Sequence, residues 1–140
     1  MIYVDTSVIV ALLTIEPKTQ SVTDWYARLS DTPTCSDWLL TEFSSALSMK
    51  LRTGQINEAN AKRVRKEFTL LADGGLRIVP VSRSAFEHAA EMVKPHTHGL
   101  RAGDSLHLAV ALELRATSMA TLDGTLAANA KRNGLKLVGF

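Results

Sequence analysis

Four acidic residues stand where a carboxylate is either costly or placed to do chemistry: Asp5, Glu42, Asp104 and Asp123. Asp5 closes a short apolar run, Ile2-Tyr3-Val4, and is followed by Thr6, Ser7 and a second apolar run from Val8 to Leu13. Asp123 closes the run Ser118 to Leu122. Asp104 opens the segment Asp104 to Leu112, which is apolar almost all round, and the positive end of a helix dipole favours an ionised acid there. Glu42 lies at the rim of an apolar helical stripe, one turn from Leu39 and from Ala46. A carboxylate in such a place is costly unless it is paired or bound to a cation. Several together also repel and drive some pKa values up. A divalent cation removes both costs. Oxygen-only donors suit magnesium or manganese. Such a site can activate water against a phosphodiester, with two ions about 4 Å apart on the attacking and leaving oxygens. Taken singly, each acid has an ordinary explanation: a helix cap for Asp5, Asp104 or Asp123, and an arginine partner for Glu42. The metal reading depends on their convergence.

The elements that must bring them together alternate between strand and helix. Strands are expected at Ile2 to Val4, Thr34-Cys35, Arg77 to Val81, Ser118 to Leu122 and Leu135 to Phe140. Between them fall helical patterns: a short one after Ser7, then Ser21 to Leu29, Asp37 to Arg52, one from Asn57, one from Ser82 or Ser84, the Asp104 helix, and one ending at Asn133-Gly134. Thr6 or Ser7, Ser36 and Asn57 are expected caps, Asp37 is read as a cap, and Ser84 with Glu87 has capping-box spacing. Leu39, Leu40, Phe43, Ala46, Leu47 and Leu51 form one inward face; Phe86, Ala89, Ala90 and Val93 form another. This alternation predicts an α/β fold, a three-layer α/β/α domain with a central parallel sheet of four to five short strands. In such sheets ligands bind beyond the carboxyl ends of the strands where the order reverses, so Asp5 and Asp123 meet if strands one and four are neighbours.

Bulk properties bound the class without choosing a function. At 140 residues the chain is expected to be a single domain, 1–140, with a real core. A hydrophobic share of 46% and a charged share of 21% fit a globular protein, and no apolar run approaches a membrane span. The N-terminus lacks a secretory signal and Cys35 is the single cysteine, so a reducing cytoplasm is the expected location. A net charge of +2 is too small to argue for nucleic acid. Local basic clusters at Lys50-Leu51-Arg52, Lys62 to Lys66 and Lys131-Arg132 could meet phosphates, although a solvated helix face explains the middle one equally well. His96-Thr97-His98 lacks further zinc-ligand spacing and is read as loop. His107 is read as a hydrogen-bonded core residue rather than a base; Trp25, Tyr26 and Trp38 are apolar-patch candidates on the early helices, with ordinary core the expected place of at least one tryptophan.

At these positions the sequence resembles the PIN-domain family, and within it the VapC-type toxins. The segments that carry the likeness are Ile2 to Val8 with its Asp5-Thr6-Ser7, Leu39 to Leu47 around Glu42, Asp104-Ser105-Leu106-His107-Leu108-Ala109, and Thr121 to Leu126. Ser105 stands where alanine is more usual. The resemblance implies a magnesium- or manganese-dependent endoribonuclease whose acidic site is Asp5, Glu42, Asp104 and Asp123. Asp5 and Asp104 would be direct ligands, and Ser7 and Thr121 supporting hydroxyls. It further implies an RNA substrate, a cognate VapB-type antitoxin whose tail wraps the toxin, and a homodimer. Two other classes compete: a non-catalytic RNA-binding PIN-like module, which keeps no reason for an intact quartet, and a receiver-type signalling domain. The latter needs paired acids after the first strand and a phosphoacceptor after the third, where this chain has Pro80-Val81-Ser82.

Overall fold

A computed structural model describes residues 1–140. Five strands, β1 (Ile2–Val4), β2 (Thr34–Ser36), β3 (Arg77–Val79), β4 (Ser118–Ala120) and β5 (Lys136–Leu137), alternate with seven helices. The helices are α1 (Thr6–Leu13), α2 (Thr19–Ala27), α3 (Trp38–Arg52), α4 (Glu58–Gly74), α5 (Arg83–Met92), α6 (Ala102–Glu113) and α7 (Gly124–Arg132), with one 3-10 turn at His96–His98. All strand pairings are parallel and the order is β3-β2-β1-β4-β5, so the chain reverses direction across the sheet between β1 and β4. Register sets Val4 against Ala120, which leaves Asp5 and Thr121 side by side just past the strand ends.

The sheet separates two apolar cores. One holds Val4, Val8, Ile9, Cys35, Leu39, Phe43 and Leu47 against α4, with Phe68 stacked on Phe43 at a centroid distance of 4.0 Å. The other holds Tyr3, Leu106, Leu108, Met119, Leu126 and Ala130 against α5. Helix α6 is buried from Ser105 to Ala111, as its lack of a polar face required. Burial pushes the Cys35 thiol up to about 12, so it is an inert apolar filler. No helix is long and apolar enough to cross a membrane.

Several local expectations are corrected. The cap of α1 is Asp5 itself, whose carboxylate accepts from the Val8 N–H, rather than Thr6 or Ser7. Ser36 stays in β2, where it accepts from the Tyr3 hydroxyl. Asp37 flanks α3 but turns its carboxylate to the Val81 N–H, tying the helix start to the segment after β3. Ser82, not Ser84, caps α5, and Glu87 pairs with Arg83. Helix α5 buries Ala85 and Ala89 and leaves Phe86 53% exposed, a rotation of about one residue from the expected face. On a short helix rich in alanine, neither face outweighs the other in sequence. Leu40 likewise turns outward. Asp73-Gly74-Gly75, a turn signal in sequence, instead carries α4 on through Gly74.

Candidate active site

Asp5 is held from three directions at the switch point. Its Oδ1 accepts from the Ser7 hydroxyl (2.6 Å) and the Val8 N–H (3.3 Å), and its Oδ2 accepts from the Thr121 hydroxyl (2.7 Å). Its own N–H donates to the Ala120 carbonyl. Thr121 also accepts from the Asp123 N–H, and Ser7 accepts from the Leu122 N–H. The two hydroxyls therefore stitch the end of β1 to the segment joining β4 and α7. Asp123 caps α7 through the Leu126 N–H at 2.7 Å. Burial pushes the Asp5 carboxyl above its ordinary range. The nearby His107 ring and the hydrogen bonds from Ser7, Thr121 and Val8 oppose that rise.

Glu42 reaches in from α3. Its Oε2 accepts from the Thr6 hydroxyl (2.5 Å) and from His107 Nε2 (2.7 Å). Burial works to raise this carboxyl, but the hydrogen bonds from His107 and Thr6 together hold it below the usual carboxylate range. The Trp38 indole N–H lies beside the same carboxylate without reaching hydrogen-bond geometry, and is a buried donor with no partner. His107 is fully inside the protein, as expected of a core residue. Its Nδ1 lies 3.0 Å from the Tyr3 hydroxyl, which in turn donates to Ser36. His107 thus fastens Glu42 to the sheet.

Asp104 sits in the first turn of α6, half-buried. Burial and then the negative charges of Asp123, Asp5 and Glu42 push its carboxyl above its ordinary range. The four acids lie on neighbouring segments: Asp5 is tied to Thr121, two residues before Asp123, and Gly103, next to Asp104, passes against Glu42 Oε1. No three of the acids stand close enough around one point to hold an ion as they are arranged. Asp5 has both oxygens bound, and Glu42 and Asp123 have one each.

Four contributors escaped sequence reasoning. Thr6 and His107 position Glu42, Trp38 lies against it, and Gly103 makes the approach possible. A Cβ at Gly103 would overlap Glu42 Oε1 and stand 3.3 Å from Trp38 Nε1. A glycine beside an acid at a helix start is the one available signal. Conversely, Lys50 leaves the basic set: it is 8% exposed and spends its charge on Glu16, with Gln55 as second acceptor. The middle cluster is a solvated face carrying exposed pairs such as Arg63–Glu67.

An α/β fold with a five-stranded parallel sheet and an acidic cluster at its switch point defines a class, and comparison with known families names it. The PIN-domain model matches residues 2–138, and the chain belongs to the PIN-domain family. Comparison with curated protein sequences finds no match. Among solved structures, the chain is similar to VapC20 of Mycobacterium tuberculosis, described as a toxin that cleaves the sarcin-ricin loop. The TM-score is 0.74 at 19% identity, covering 92% of this chain and 95% of the other. It is also similar to FitAcB from Neisseria gonorrhoeae (TM-score 0.71, 22% identity, 99% and 97% covered). A third is VapBC2 from Rickettsia felis, solved on a DNA fragment from its promoter (TM-score 0.67, 19% identity, 99% and 98% covered).

Proposed function

We propose that this protein is a divalent-metal-dependent endoribonuclease acting as the toxin of a VapBC-type toxin–antitoxin pair. The observation that supports the reading is the sheet order, which sets Asp5 beside Thr121 near Asp123, while Glu42 bonds Thr6, the neighbour of Asp5, and lies against Gly103, the neighbour of Asp104. The donor set fits magnesium or manganese, since it is anionic, oxygen-only and self-repelling without a cation. Asp5 and Asp104 would hold the ion, with Glu42 and Asp123 completing the shell or orienting water. When bound, the ion supplies Lewis-acid activation of water and of the phosphodiester. The chain's own part is positional. Ser7 and Thr121 aim the Asp5 carboxylate, while Thr6 and His107 keep Glu42 ionised and in place. The toxin role and an antitoxin whose tail covers the site draw support from family membership and from the similar structures, which include toxin–antitoxin complexes; a homodimer is part of the same reading.

Purified protein is to be incubated with structured RNAs, with magnesium, manganese or EDTA, beside an Asp5→Asn variant. Asparagine can still accept from Val8 and Ser7 and donate to Thr121, so the fold survives and the charge is lost. Cleavage that needs metal and vanishes in the variant is expected. Metal-dependent cleavage that survives Asp5→Asn would sink the assigned site. Binding without cleavage by the unsubstituted protein would favour a non-catalytic RNA-binding module. For the partner, co-expression with the product of the adjacent small reading frame should relieve growth arrest, and sedimentation should return twice the chain mass.

A further inference from the structure

The contacts of the acidic centre leave one buried donor over. Trp38 is the first residue of α3, and its indole Nε1–H is shut off from solvent with no acceptor. A buried donor without a partner is costly and rare, and one beside a charged site calls for an explanation. Glu42 stands four residues on, on the same face of the helix, and has an oxygen to match. Its bonds from Thr6 and His107 both fall on Oε2, and Oε1 accepts none. The two unpaired atoms border the same spot. A Cβ at Gly103 would overlap Glu42 Oε1 and stand 3.3 Å from Trp38 Nε1, so the missing side chain at 103 keeps the space between donor and acceptor open. Glycine is a costly choice inside a helix, and this approach accounts for it. Trp38 also lines a hollow of about 340 Å³ with Phe86, Ala89 and Leu106, which gives the ring room to shift while Thr6 and His107 hold Glu42.

We propose that Trp38 is a positioning residue of the acidic centre: its indole N–H donates to Glu42 Oε1 when the centre takes up a divalent cation, so that α1, α6 and α3 each supply one donor to the same carboxylate. The proposal rests on the metal-dependent reading given above. A carboxylate oxygen has two lone pairs, and a donor on one of them fixes the orientation of a metal-ligating acid. The test removes the N–H and keeps the ring. The chain has two tryptophans, and Trp25 packs on Phe140. In a Trp25→Phe background, residue 38 is therefore the sole indole, and its biosynthetic replacement by benzothienylalanine exchanges N–H for sulfur in the same shape. Manganese binding is read from the electron paramagnetic resonance of the free ion, apart from any cleavage, and thermal unfolding is followed without metal. The isostere should bind manganese about tenfold more weakly. Its metal-free Tm should be unchanged, because the resting fold makes no bond through that N–H; a merely structural tryptophan would move the Tm and not the affinity. With the indole intact, magnesium should carry its proton resonance downfield and slow its exchange with solvent. Equal manganese affinity of the two proteins overturns the proposal, as does an indole proton that magnesium leaves in place while the Gly103 and Asp104 amides shift. If the isostere does not melt cooperatively, that resonance decides. Absence of manganese and magnesium binding by the unsubstituted protein refutes the metal reading and the proposal with it, an outcome distinct from equal binding by both forms.

Discussion

Replacing Gly103 by alanine tests how tightly Glu42 is pinned. The added methyl would overlap Glu42 Oε1, closer than the 3.0 Å that real Cβ atoms respect. Ordinary contact requires that oxygen to retreat by about 1 Å. A free glutamate tip would do so at little cost. This one is tied at its other oxygen to Thr6 at 2.5 Å and His107 at 2.7 Å, so pivoting the carboxylate stretches both bonds. Hydrogen bonds to a charged group contribute about 1.5–3 kcal/mol each, and Glu42 is partly solvated, so partial loss of both costs about 2–3 kcal/mol. Better helix propensity returns at most about 1 kcal/mol. The net loss is therefore about 1–2 kcal/mol, or a fall of about 5 °C in Tm for a chain of this size. Urea and thermal unfolding provide the assay, with Gly74→Ala as reference because a Cβ there meets nothing within 4 Å. Cleavage should also drop, because Glu42 no longer faces Asp104. A Gly103→Ala protein as stable as Gly74→Ala would refute the pinning of Glu42.

Two further outcomes follow from the charges. Burial raises Asp5, and burial with the charges of Asp123, Asp5 and Glu42 raises Asp104, so without metal the fold binds protons that the unfolded chain has released. Stability then falls as pH rises from the ordinary carboxylate value through the raised ones; Glu42, which is lowered, contributes in the opposite sense and only at lower pH. In EDTA the urea midpoint should rise as pH is lowered from neutral toward the ordinary carboxylate range, and saturating magnesium should cancel that gain by stabilising the ionised acids. A midpoint that falls steadily over this range in EDTA would contradict the electrostatic account. At the far end of α3, Glu16→Ala strands the buried Lys50 amine and should cost about 1–3 kcal/mol, whereas Lys50→Met, which removes the charge and keeps the volume, should cost less. Equal losses in urea unfolding would show that the pair, not the burial of the amine, governs stability there.

The two ends of this protein's logic differ in where they are written. Asp5 after an apolar strand, Asp104 at the mouth of an all-apolar helix and Glu42 on an apolar rim are local facts, because hydropathy periodicity and burial cost act over a few residues. The alternation of strand and helix likewise dictated a parallel α/β sheet. Local pattern does not decide strand order, and the order β3-β2-β1-β4-β5 is what sets Asp5 beside Thr121. Nor does it decide which of several neighbouring polar groups serves as cap. Asp5 displaced Thr6 and Ser7 because those hydroxyls had partners, Glu42 and Asp5, and Ser7 also met Leu122, 115 residues away. The rotation of α5, the tie from His107 to Glu42 and the need for glycine at 103 belong to the same group. Each depends on contacts between segments far apart in the chain. The acids were legible as separate costs; the fold decides which strand ends, and so which of their residues, lie side by side.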